Sequence, residues 1–147
     1  MRPPMPSRFA AAPAWARASD AAFLKAFESG TPPPEAWTHE AHVRLGWILL
    51  GRFPREDAIG RVRSGIRRYN ANVLGRPEAY HDTLTVAYLR IIAARRMPGQ
   101  DWGVFRAGNP DLFDHRQPVT ARHYSAELMA SREAREGVVE PDLEPLP

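Results

Sequence analysis

The chain contains no cysteine and only one lysine among its 147 residues. The lack of cysteine excludes disulfide bonds, thiolate nucleophiles and sulfur ligands, so nitrogen and oxygen atoms must hold any metal. No apolar run approaches the ~18 residues of a membrane span. Pro3, Pro4, Pro6 and Pro13 interrupt the N-terminal segment, which therefore lacks the apolar stretch of a signal peptide. We expect a cytoplasmic protein with no membrane partner.

Arginine supplies almost all of the positive charge, since Lys25 is the only lysine among 20 basic residues. The 17 acidic residues are interspersed with them, so the net charge of +3 indicates no particular partner. The densest basic group is Arg61, Arg63, Arg67 and Arg68. These side chains are spread around a predicted helix and accompany no helix-turn-helix or aromatic platform. We therefore expect no nucleic-acid partner.

The sequence also lacks the signals of a β protein. It has no two-residue hairpin turn, no sustained polar–apolar alternation and no internal repeat. Its 44% of hydrophobic residues can form one core, and its length suits one domain. We expect a flexible N-terminal segment over residues 1–18 and a single helical domain over residues 19–147.

Capping residues and helical spacing of apolar residues predict an all-α fold. Thr38 is a natural N-cap, and Pro54 and Pro77 suit the first position of a helix. Ser125 is the expected cap of a last helix, after which three prolines indicate an extended tail. We predict a compact bundle of about four main helices with short accessory helices. The first predicted helix is capped by Ser19 or Asp20 and stops at Gly30. The others span residues 38–51, 54–69 and 77–97, with a loop over residues 70–76.

Four of the five histidines lie at or near predicted helix N-termini: His39, His42, His81 and His123. A helix N-terminus lowers the pKa of a nearby histidine and keeps it neutral, as a metal ligand or general base requires. His39 and His42, three residues apart, can address one ion. We predict that the four histidines line one polar pocket around a divalent transition metal, with imidazole ligands that suit Fe, Zn or Cu.

This pocket predicts a small metalloenzyme that acts on a small molecule, with His42 and Asp82 as catalytic candidates. The alternative is a non-catalytic helical ligand-binding or interaction protein with structural histidines. His81 and Asp82 also match an HD-type phosphohydrolase pattern together with His42, but here the pair follows a polar loop instead of an apolar helix. Glu78 and His81 form a single E-x-x-H, whereas di-iron bundles use two.

Gly46 lies within the second predicted helix, on the same face as His39. Glycine in a helix costs roughly 0.5–1 kcal/mol relative to alanine, so its presence needs a reason. Two explanations are open: Gly46 leaves room for a ligand, or it allows a neighbouring helix to pack closely.

Four segments of the chain carry a resemblance to known sequences: "WTHEAH", "YHDT", "RHYS" and "VEPDLEPLP". Together they resemble a family of small uncharacterised bacterial proteins over about residues 20–147. The resemblance implies that these segments belong together, and it implies no activity.

Overall fold

A computed structural model describes residues 18–147, and in this range it contains helices and no β-strand. The all-α fold is therefore confirmed. The predicted flexible segment lies, apart from residue 18, outside the described residues. No helix within residues 18–147 is long and apolar enough to cross a membrane. The α-helices are α1 (Asp20–Glu28), α2 (His39–Arg52), α3 (Arg55–Asn72), α4 (Asp82–Arg95), α5 (Trp102–Gly108), α6 (Ala126–Met129) and α7 (Arg132–Glu136).

Side-chain caps start the helices where the sequence predicts them. The hydroxyls of Ser19 and Thr38 each accept a hydrogen bond from the backbone N–H three residues later. Each bond satisfies one of the amides that a helix start leaves without a partner. Ser125 caps α6 in the same way, but Ser131 then caps α7, so the predicted last helix is two short ones.

The fourth main helix begins later than predicted. Pro77–Ala79 forms a separate 3₁₀ turn, and α4 starts at Asp82. The reason is His81, whose Nδ1 accepts the backbone N–H of Leu84 at 3.0 Å and thereby caps the helix. Glu78 and His81 are consequently not one turn apart on a shared helix, and the E-x-x-H spacing has no structural meaning here.

The third main helix continues further than predicted. We expected a loop from residue 70, but α3 runs to Asn72. Its buried stripe therefore includes Tyr69 and Asn70 as well as Ile66 and Val62. The extra turn matters for the site because it adds a polar side chain to the inner face of the helix.

Helix α2 is the centre of the molecule. Both α3 and α4 pack against it, and eight of its fourteen residues are buried. The C-terminal tail, residues 137–147, is not helical and packs back onto the bundle. Thr83 Oγ1 on α4 donates to the Gly137 carbonyl at 2.8 Å and accepts the Val139 N–H at 3.1 Å. The Tyr124 hydroxyl donates to the Val139 carbonyl at 2.8 Å.

Gly46 lies where side chains of α4 pack against the backbone of α2. A Cβ atom at this position would lie 2.6 Å from Leu89 Cδ2 and 3.5 Å from Ile92 Cδ1. Of the two explanations for Gly46, the structure therefore supports the second: the glycine allows α4 to pack closely against α2. Leu89 and Ile92 in turn line the cavity described below, so Gly46 affects that cavity only through its neighbours.

We expect Gly46→Ala to lower the free energy of unfolding by about 1 kcal/mol. Overpacking a core costs typically 1–3 kcal/mol, which exceeds the ~0.5–1 kcal/mol gained in helix propensity. Gly60→Ala is the matched control, because Gly60 lies within α3 with no atom within 4 Å of an added Cβ. This control should stabilise the protein. Urea unfolding of both variants measures the two signs, and a stabilised Gly46→Ala would contradict the packing assignment.

Candidate functional site

A cavity of about 290 Å³ lies between α2, α3 and α4. Fourteen described residues line it, and none of them is an arginine, lysine, aspartate or glutamate. Half are aliphatic, so the walls are mostly apolar. The polar and aromatic members are His39, His42, Asn70, Tyr80, His81, Thr85 and Tyr88.

His42 lies in the first turn of α2 with one tautomer fixed. Its Nδ1–H donates to the Thr38 carbonyl oxygen at 2.6 Å, so the lone pair is on Nε2. The ring packs against Trp37 with 3.9 Å between ring centroids. Burial lowers the pKa of His42 to about 4; the hydrogen bond to Thr38 opposes this shift and nearby His39 adds to it. At neutral pH this imidazole is therefore an uncharged hydrogen-bond acceptor.

His39 joins α2 to the 3₁₀ turn Pro110–Phe113. Its Nε2–H donates to the Leu112 carbonyl at 2.8 Å, and its ring meets Tyr88 edge-on at 4.9 Å between centroids. The ring of His115, which our site prediction left out, lies 5.5 Å from that of His39. Within residues 18–147 the His39 Nδ1 atom has no hydrogen-bond partner, so this nitrogen is chemically available.

His81 lines the cavity, but both of its ring nitrogens are engaged. Nδ1 accepts the N–H of Leu84, and Nε2–H donates to the Met129 carbonyl at 2.8 Å. The second bond ties the start of α4 to the end of α6. His81 could ligate a metal only by giving up one of these two bonds, so its position favours a structural role.

His123 lies outside the cavity, which differs from its predicted position. It is 8% exposed, and its Nδ1–H donates to the Glu144 carbonyl at 2.9 Å. Its own carbonyl accepts the N–H of Leu143. These bonds hold the C-terminal tail, so the structure brings three of the four predicted histidines to one cavity and places the fourth in tail packing.

Asp82 also lies outside the cavity lining, unlike the catalytic position we predicted. It is 1% exposed; Arg63 donates to both its oxygens at 2.9 and 2.7 Å, and the Tyr80 hydroxyl donates at 2.6 Å. Burial alone would raise the pKa of Asp82, but these bonds and the charges of Arg63 and Arg67 hold it below its ordinary value. Asp82 is an ionised structural anchor between α3 and α4.

The hydrogen bonds of His81, His123 and Asp82 argue against the predicted metal site. No group of three or more His, Cys, Asp or Glu residues within residues 18–147 is arranged to hold a metal ion. In an HD-type site His81 and Asp82 would supply ligand atoms, but here each is committed to the protein. His39 and His42 are the two cavity histidines that retain a ring nitrogen without a hydrogen-bond partner in the described part of the chain.

Asn70 is a site residue that the sequence analysis missed. It lies one turn after Ile66 on α3, lines the cavity and is 5% exposed. Its side-chain amide has no hydrogen-bond partner among the described residues. The signal was present in the sequence, because Val62, Ile66 and Asn70 follow one another at a spacing of four, but we assigned residue 70 to a loop.

The chain matches no protein-family model, no curated protein and no solved structure. The resemblance to a bacterial family therefore stays a prediction, and the function has to be argued from the cavity.

Proposed function

We propose that this protein binds a small molecule in the cavity between α2, α3 and α4, with His42 as a fixed hydrogen-bond acceptor. The observation that carries this proposal is the His42 imidazole, which lines the cavity, has its tautomer fixed by Thr38 and is kept neutral by burial. Apolar walls with a few positioned polar groups are typical of small-molecule sites. About 290 Å³ is near the lower end of the usual size range for such sites.

The pKa of His42 favours binding over proton transfer. A general base is most effective when its pKa lies near the working pH. The pKa of about 4 lies roughly three units below neutral pH, which makes His42 a weak base. Its Nε2 can still accept a hydrogen bond from a ligand at any pH above about 5, since it is then almost entirely unprotonated.

A divalent metal held by His39 and His42, with a catalytic role, is the second candidate. It is favoured by the two ring nitrogens without partners, three residues apart on one helix. Against it, metal sites in proteins commonly use three or four ligands, and the described residues offer no such group. Zinc titration by calorimetry decides: equimolar binding that His39→Ala abolishes supports the metal, and no heat of binding argues against it.

Phenol and toluene test the proposed binding function, because toluene has a methyl group in place of the phenol hydroxyl that can donate to His42. We expect phenol to shift the NMR resonances of cavity-lining residues such as Val43 and Ile92. We expect His42→Leu to weaken phenol binding about ten-fold, the effect of losing one good hydrogen bond, and to leave toluene binding no weaker.

His115→Leu is the matched control, because His115 is exposed and does not line the cavity. This variant should bind phenol as the parent does. Phenol shifts confined to residues outside the cavity, or equal phenol binding by His42→Leu and the parent, would contradict the proposal.

A further inference from the structure

Asn70 is a polar residue of the cavity wall whose side-chain amide has no hydrogen-bond partner in the described part of the chain. The residue is 5% exposed and lines the cavity. Its backbone carbonyl accepts the Arg76 N–H at 2.8 Å, but no described residue pairs with its side chain. Its amide atoms are not among the fully buried polar atoms without a partner, so they keep accessible surface at the cavity wall. Water or a ligand in the cavity can therefore pair with this amide.

The charge of the lining limits what that ligand can be. Although the chain has 20 basic and 17 acidic residues, none of those within residues 18–147 lines the cavity. The nearby Arg63 is committed to Asp82. A charged ligand would lose its hydration without meeting an opposite charge, which is strongly unfavourable. The cavity therefore suits an uncharged molecule.

The size of the cavity sets a second limit. A volume of about 290 Å³ is roughly twice the ~150 Å³ of a cavity that accommodates benzene. At the ~30 Å³ that one water molecule takes up in the liquid, this corresponds to about ten non-hydrogen atoms.

We propose that Asn70 and His42 together select an uncharged primary carboxamide joined to an apolar body of this size. This inference rests on the proposed binding function and names its ligand class. A primary amide complements both groups: its carbonyl can accept from Asn70 Nδ2, one N–H can donate to Asn70 Oδ1, and the other can donate to His42 Nε2.

Benzamide, acetophenone and benzoate test this selection, because they have the same number of non-hydrogen atoms. Acetophenone cannot donate through its polar group, and benzoate is charged at pH 7.5. We expect benzamide to bind about ten-fold more tightly than either of the others in NMR titrations of the full chain. Asn70→Leu should reduce the preference for benzamide over acetophenone. Asn72→Leu, which changes an exposed asparagine on the same helix, should keep it.

The outcomes separate this inference from the proposed function. Equal affinity for benzamide and acetophenone, with shifts at cavity residues, would overturn the role of Asn70 and leave small-molecule binding intact. Benzoate binding as tightly as benzamide would overturn the inference that the ligand is uncharged. The absence of cavity shifts with all three probes, and with phenol, would overturn the proposed function and this inference with it. The comparison in the parent protein does not depend on how well any variant folds.

Discussion

Replacing Asp82 by alanine should lower the free energy of unfolding by about 3 kcal/mol, the low end of the range for removing one member of a buried ion pair. The carboxylate is 1% exposed, and it is the acceptor for Arg63 and Tyr80. Without it, two arginines at the α3–α4 contact lose their counter-charge. The estimate is at the low end because the side chains of Arg63 and Arg67 are 35% and 48% exposed, so water solvates them in part.

Asp57→Ala is the matched control for this prediction. Asp57 pairs with Arg61 at 3.0 Å, but both side chains are about half exposed. Exposed pairs at this spacing contribute less than about 1 kcal/mol. Urea unfolding at pH 7.5 compares the two variants. If Asp82→Ala lowers the free energy of unfolding no more than Asp57→Ala does, Asp82 is not a structural anchor. A catalytic role for Asp82 would then have to be considered again.

The stability of the protein should fall as the pH is lowered from about 6.5 to 4, in part because of His42. Its pKa is about 4 in the folded protein and near 6.5 in the unfolded chain. Below pH 6.5 the unfolded chain therefore binds a proton that the folded protein does not, which favours unfolding. The loss from this one group reaches about 2 kcal/mol at pH 5 and about 3 kcal/mol near pH 4.

The variant His42→Gln isolates this contribution, since the other histidines and the carboxylates titrate in both proteins. The difference in unfolding free energy between pH 7.5 and pH 5 should be about 2 kcal/mol smaller in the variant than in the parent. His115→Gln, at an exposed position, should retain the parental difference. If His42→Gln also retains the parental difference in unfolding free energy, the fold does not hold His42 neutral. That result would contradict its proposed role as a fixed hydrogen-bond acceptor.

Local signals made much of the fold predictable. The caps at Thr38 and Ser125 depend on hydrogen bonds within four residues, and both are confirmed. Of the two candidates for the first cap, Ser19 and Asp20, it is Ser19 that caps α1. The start of α4 was predicted wrongly because two local signals compete there. Pro77 is a suitable first residue for a helix, and it does begin a 3₁₀ turn, but the cap at His81 starts α4 five residues after Pro77.

The candidate site was predictable only in part, because its residues come from three helices. Helix-start position identified His39, His42 and His81, which do line one cavity. The same criterion also selected His123, which binds the tail carbonyl of Glu144. It could not find Asn70, which lies near the end of α3.

The sequence by itself determined the helices, the lack of sulfur chemistry and the polar ends of α2 and α4, since all of these depend on residues close together in the chain. Only the tertiary structure decided what each polar group contacts. Asp82 is an ion-pair anchor because α3 brings Arg63 to it, and Asn70 lines the cavity because α3 packs against α2 and α4. A side chain acquires its partner from the crossing of helices, and spacing along one helix does not specify that crossing.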